Sequence, residues 1–244
     1  MAKSIFKTYD QYGTIEVLDS GAKRYLTFGN EHEQSLQVKA TPHIPQHEYG
    51  RAIMLSLLFC QPKSVCIMGL GGGTLTQAFL HALPDADIHT VELRSMVVKV
   101  AKRFFQIDKH THLNIHNQDA NDFIGETQQQ FDILVADIYL QDGIDHGQLQ
   151  ADFIKKSERV LSDTGWLILN YWLDHDLSPA LLEQLQASFE CLYVCNSGGG
   201  NTIIFAGKTQ PPADYLDKTK VKPLAKTLGF SLNYYLKRLR AFTA

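Results

Sequence analysis

Three carboxylates in this chain stand where chemistry on a nucleoside or an amine can be done: Glu92, Asp119 and Asp137. Each closes or closely follows an apolar run of strand length, around Ile88 to Val91, 113–117, and Phe131 to Ala136 respectively. Ahead of them lies Val65-Cys66-Ile67-Met68-Gly69-Leu70-Gly71-Gly72-Gly73-Thr74-Leu75, where an apolar run stops in glycines and a helical pattern starts. That order is strand, tight turn, helix. Glycines there let the backbone approach a ligand, and the helix start offers free N–H groups and a positive dipole end. Gly69, Gly71 and Gly73 are therefore candidate cofactor-binding positions, the alternative being a turn that serves the fold alone. Glu92 has the spacing of the acid that holds a ribose diol in nucleoside binders, because a carboxylate accepts both hydroxyl hydrogens. Asp119 can accept from adenine N6, or be a helix N-cap with Asp122 close by. Asp137 can act as a base or bind an amine, or be a plain loop acid.

Bringing these acids together takes parallel strands, since ligands on open α/β sheets collect at the carboxyl ends of strands where connections diverge. From residue 65 the pattern predicts strands 65–69, 87–92, 113–117, 131–137 and 165–171, with helices 74–83, 95–106, 120–125, 150–161 and 178–188 between and after them. Strands rich in Ile, Val and Leu joined by helical crossovers imply a mostly parallel, doubly wound sheet with helices on both faces. Two last strands, 190–196 and 201–207, flank Asn196-Ser197-Gly198-Gly199-Gly200 and read as an antiparallel hairpin closing one sheet edge. Such a hairpin separates the methyltransferase type of open sheet from the pure dinucleotide-binding type.

Residues 1–45 read as a small β-hairpin domain, with alternation at 12–19, 24–28 and 35–38 and turn signals at Asp19-Ser20-Gly21 and Gly29-Asn30. Pro42 and Pro45 mark a linker, and a helix is predicted from Gln46 to Cys60. The nucleoside-binding domain then spans 46–210. A basic tail, 211–244, carries an amphipathic pattern at 231–239 expected to pack on the core.

The stretch from Tyr49 to Phe59, the turn Gly69 to Thr74, Glu92, Asp119-Ala120 and Phe131-Asp132-Ile133-Leu134-Val135-Ala136-Asp137 together resemble the spermidine synthase (polyamine aminopropyltransferase) family. The resemblance covers most of residues 12–207. It implies the α/β fold of class I S-adenosylmethionine-dependent methyltransferases (Rossmann-type), preceded by a small β domain. It implies transfer of an aminopropyl group from decarboxylated S-adenosylmethionine to a small amine, with no metal. On this resemblance Glu92 holds the ribose, Asp119 the adenine, and Asp137 deprotonates the attacking amine. Gln34, from Glu33-Gln34-Ser35, joins the donor side, and Tyr49 and Tyr139 are expected at the acceptor. The family pattern has an acid at the place of Gly72 and a second one at Leu140, with Asp142 and Asp145 nearby here at other spacings. The same fold with an intact S-adenosylmethionine donor makes a methyltransferase, and a binding protein without catalysis is a third reading.

The 244 residues carry a formal net charge of -3, which gives no global pull toward nucleic acid or anionic membrane. The longest apolar run, Ala52 to Cys60, is too short to span a bilayer, and the start of the chain lacks a signal-peptide pattern. Cys60, Cys66, Cys191 and Cys195 lack metal-ligand spacing and read as reduced thiols of a cytoplasmic protein. A homodimer is compatible with this composition.

Overall fold

The structure, a computed structural model, describes residues 2–29, 33–107, 110–140, 143–144, 150–172 and 179–242. It opens with a four-stranded antiparallel sheet, β1 (Lys3–Asp10), β2 (Gly13–Ser20), β3 (Lys23–Thr27) and β4 (Glu33–Val38), each strand beside the next. Alternation buries Ile15, Val17 and Leu26 on one face, where they pack with Val97, Val100 and Phe105. β1 falls within the stretch read as β-structure, though none of the alternating runs named in it covers this strand. Most of it is exposed, so it needs no apolar alternation that a sequence reader can find.

Next, α1 (Glu48–Ile53) passes into a 3₁₀ turn at Met54–Leu58, in place of the single predicted helix to Cys60. Met54, Leu55, Ser56 and Leu58 are all buried, so the run is enclosed on several sides and has no solvent face to impose a helical period.

The main layer follows as β5 (Ser64–Met68), α2 (Thr74–Ala82), β6 (Asp87–Val91), α3 (Ser95–Phe104), β7 (Leu113–His116), α4 (Ala120–Glu126) and β8 (Phe131–Ala136). Two-residue strands β9 (Tyr139–Leu140) and β10 (Gly143–Ile144) pair with each other. Then come α5 (Ala151–Val160), β11 (Leu161–Trp172), α6 (Pro179–Ser188), β12 (Cys191–Asn196) and β13 (Asn201–Gly207). The tail adds α7 (Lys218–Leu228), α8 (Asn233–Leu236) and β14 (Leu239–Ala241). Eight strands form one sheet in the order β14-β12-β13-β11-β8-β5-β6-β7. β11, β8, β5, β6 and β7 run parallel, and β13, β12 and β14 each pair antiparallel.

The period of two along β8 sends Ile133 and Val135 into one apolar layer, with Phe79 and Met54, and Leu134 and Ala136 into the other, with Phe123 and Phe153. Burial on both faces explains why these strands read as continuous apolar runs.

The tail corrects two expectations. The hairpin is not the sheet's edge, because β14 pairs along β12, with Val194 opposite Arg240. The tail's main helix is α7, and the predicted amphipathic stretch 231–239 is instead the one-turn α8 and the start of β14. Asp217 caps α7 by accepting from the Thr219 N–H, and Val221, Leu224, Ala225 and Leu228 lie against the core at helical spacing. Pro223 inside that helix disguises it in the sequence. Among the described residues, no helix is long and apolar enough to cross a membrane.

Candidate active site

Two strand ends approach each other closely at Gly69. A Cβ there would lie 2.2 Å from the Asp137 carbonyl oxygen, and φ is +101°, so the position excludes any side chain. The surrounding backbone is laced across the sheet. The Gly69 N–H donates to Val91 (2.9 Å), the Asp137 N–H to Met68 (2.9 Å) and the Glu92 N–H to His116 (2.9 Å). Asp137, the glycine turn, Glu92 and the Asp119 loop therefore follow one another along the carboxyl ends of β8, β5, β6 and β7.

Glu92 is buried and its carboxylate is already engaged. Oε2 accepts from the Leu70 N–H (3.1 Å) and more weakly from the Gly71 N–H (3.5 Å), and Oε1 accepts from the Arg94 N–H (2.8 Å). Burial pushes its pKa up, and these backbone bonds oppose that shift. The acid thus shapes the glycine turn and retains lone pairs on both oxygens for a diol. Its own loop is tied down as well, since the Asn117 side chain donates to the Glu92 and Leu93 carbonyls (2.8 and 3.0 Å).

Asp119 is the N-cap of α4, its Oδ1 accepting from the Asn121 and Asp122 N–H groups (2.8 and 3.2 Å). The capping reading holds, and the side chain is exposed beside Glu92's loop. A cap through Oδ1 is compatible with an adenine contact through Oδ2.

Asp137 follows β8, enclosed by protein with some of its surface still open. Its Oδ1 accepts from Asn170 Nδ2 at 2.8 Å. Burial raises its pKa to about 6, against the lowering effect of that bond. A carboxyl poised there changes protonation near neutral pH, as a base for an amine requires.

The remaining expected residues fall differently. Gln34 lies at a register shift in β4, where the partners jump from Leu26–Ser35 to Thr27–Glu33. Its neighbour Ser35 reaches the glycine turn instead, its Oγ accepting from the Gly72 N–H at 2.8 Å. Tyr49 sits on α1, stacked with His47 at 5.5 Å between ring centres and packed against the core. The side chain of Tyr139, and the whole of Asp142 and Asp145, lie outside the described residues. Among the described residues, no group of three or more His, Cys, Asp or Glu is arranged to hold a metal ion.

Several site residues escape a reading of the sequence. Arg94 is buried and binds Asp10 through Nε (3.1 Å) and Nη2 (2.8 Å), and the Gly13 carbonyl through Nη2 (2.9 Å). Its guanidinium lies 4.5 Å from the Phe28 ring centre. Asn170 is fully buried within β11. The signal for Asn170 was present, a lone carboxamide inside Leu167-Ile168-Leu169-Asn170-Tyr171. Arg94 and Ser35 gave none, since both act across elements far apart in the chain.

A glycine turn feeding α2, an acid at the end of β6 and a reversed β12–β13 hairpin are features of the class I S-adenosylmethionine-dependent methyltransferase type of fold. Comparison with known proteins agrees. Residues 43–196 match the family model described as the spermine/spermidine synthase domain, so the chain belongs to that family and is a transferase. It is 25% identical over 232 residues to a polyamine aminopropyltransferase of Chromobacterium violaceum, covering 93% of this chain and 89% of that one. It is also 29% identical over 162 residues to an eEF1A lysine and N-terminal methyltransferase of Bos taurus. That match takes 61% of this chain and spans only 23% of the relative. In fold it resembles a spermidine synthase solved with the transition-state analogue AdoDATO, with a TM-score of 0.77 at 15% identity, over 97% of this chain and 84% of the other.

Proposed function

We propose that the protein moves an alkyl group from an adenosyl sulfonium donor to the nitrogen of a small amine, with Asp137 as the base. The first reading of the group is aminopropyl, taken from decarboxylated S-adenosylmethionine, and of the acceptor a polyamine. The observation that carries the reading is Asp137 itself, a carboxyl raised to about 6 at the strand end against the glycine turn. Glu92 would take the ribose diol and the Asp119 loop the adenine.

The chemistry asks little of the donor, whose leaving group is a neutral thioether. The amine lone pair attacks the carbon beside sulfur, the carbon–sulfur bond breaks with its pair going to sulfur, and the nitrogen's proton passes to Asp137. The protein contributes alignment, removal of water from the amine and a place for the proton.

Methyl transfer from intact S-adenosylmethionine is the second reading, favoured by the surroundings of Gly72. A Cβ there would meet Ser35 Cβ at 2.8 Å and the Phe105 ring at 3.1 Å, so an acid at that point of the turn would have to displace them. A decarboxylated donor ends in an unpaired ammonium that is costly to bury without a counter-charge. The intact donor carries its own carboxylate beside the ammonium.

Purified protein incubated with either donor plus putrescine, spermidine or agmatine separates the readings. Methylthioadenosine with a diamine supports aminopropyl transfer, and S-adenosylhomocysteine replaces it with methyl transfer. Asp137→Asn is expected to abolish turnover while donor binding persists. The base works ionised, so kcat/KM should rise with pH through about 6. A flat profile across that range would remove Asp137 from the base role.

A further inference from the structure

Asn170 is fully buried in the apolar strand β11, where a carboxamide is tolerated only if both its ends are satisfied. Its Nδ2 donates to Asp137 Oδ1 (2.8 Å), and its Oδ1 accepts from Asn201 Nδ2 (2.9 Å) at the start of β13. Asn201 is anchored in turn. Its backbone carbonyl accepts from the Ser197 N–H (2.9 Å) and the Ser197 hydroxyl (2.8 Å), which ties it to the hairpin loop. Turning the Asn170 amide over would set its oxygen against the Asp137 carboxylate and its NH₂ against the NH₂ of Asn201. With the Asp137 carboxyl ionised both contacts would be repulsive, so the network holds the Asn170 amide in this orientation in the form that acts as a base.

We infer that Asn170, oriented by Asn201, is a positioning residue that fixes Asp137 through Oδ1 and leaves Oδ2 as the oxygen that takes the acceptor's proton. The geometric half rests on the hydrogen bonds alone; the proton's destination rests on the proposed transferase reading. Among the described residues, burial and the Asn170 bond are the two influences on the Asp137 carboxyl. Removing the bond therefore has one expected effect, a carboxyl that holds its proton more tightly.

The test is a ¹³C NMR titration of the aspartate side-chain carboxyls in the full chain, with the Asp137 resonance assigned from Asp137→Asn. Loss of a hydrogen bond to a carboxylate shifts its titration by about one unit or more, tenfold in proton affinity. Asn170→Leu, close in size and without polar atoms, is expected to move the Asp137 midpoint up by that amount. Asn201→Leu keeps the Asn170 amide but frees it to rotate, and a smaller upward shift is expected. Because Asn201 is only partly buried, this second variant serves even if Asn170→Leu does not fold. A midpoint unchanged in the folded variants overturns the assignment. Where turnover is measurable, the acid limb of kcat/KM should move with the NMR midpoint while donor affinity holds. A shifted midpoint in a protein inactive with every donor upholds the positioning by Asn170 and rejects the proposed alkyl transfer to a small amine.

Discussion

A carboxyl raised from 3.8 to about 6, as in Asp137, binds protons in the folded state that the unfolded chain has released. The sign follows. Between roughly pH 4 and 6 folding stability falls as pH rises, and above 6 the whole cost is carried. Two pH units correspond to about 3 kcal/mol at most, and nearer 2 because the residue keeps some open surface. Asp137→Asn should therefore stabilise the protein by about 2 kcal/mol at pH 8 and leave it unchanged at pH 4, as measured by urea denaturation. Equal effects at both pH values would mean that Asp137 titrates normally. Gly72 lends itself to a packing test. Gly72→Ala drives a methyl into Ser35 and Phe105 and should cost about 1–3 kcal/mol, with Ser35→Gly restoring part of it in the double variant. Glycine at 72 was legible in the sequence as a departure from a family pattern. What fills its place was not, because Ser35 and Phe105 lie far from it in the chain.

Among elements, the small N-terminal sheet does more than precede the main eight-stranded sheet. It caps α3, whose last carbonyls have no partners within the helix. From the sheet Gln37 donates to the Phe105 carbonyl (3.1 Å) and Arg24 to that of Phe104, while Gln77 of α2 adds a second bond to Phe105 (2.8 Å). Arg24 is held in place by Asp19, whose pKa is pulled down to about 2 by that guanidinium. Arg94 completes the attachment from the other side by gripping Asp10 and Gly13 at the tip of the β1–β2 hairpin. Breaking a buried pair leaves a charge without its partner, so Arg94→Ala should destabilise by about 3 kcal/mol. Asp10→Ala in the same background should add little, and a full additive loss in that double-mutant cycle would show that the pair is not coupled. The strands around the glycine turn could be read from their apolar runs because both faces are buried. β1 and α7 could not, the one exposed along most of its length and the other interrupted by Pro223.

At the scale of the whole molecule, the turn, Glu92 and Asp137 are fixed by backbone bonds between neighbouring strands, so on the proposed function a donor would meet these three groups already in place. Binding to the folded chain alone should then appear directly as added stability. A donor at one hundred times its dissociation constant is expected to raise the unfolding free energy by about 2.7 kcal/mol. Glu92→Ala, weakening the donor about tenfold, should cut that gain to about 1.4 kcal/mol at the same concentration. Thermal shifts with each donor in turn would read both quantities, and an undiminished shift in Glu92→Ala would take that residue out of the site. The sheet with its reversed hairpin was legible from the alternation of runs. The tail's entry into the same sheet was not, because β14 is three residues long and carries no pattern of its own.

The filled space around Gly72 also bears on which substitutions the turn accepts. A side chain at that point cannot enter without displacing Ser35 of β4 and crowding the Phe105 ring beyond α3. Shrinking Ser35 makes room at the cost of the hydroxyl that holds the Gly72 N–H. Residue 72 is therefore open to change only together with residues 35 and 105, which bond or crowd the turn from elements distant in the chain.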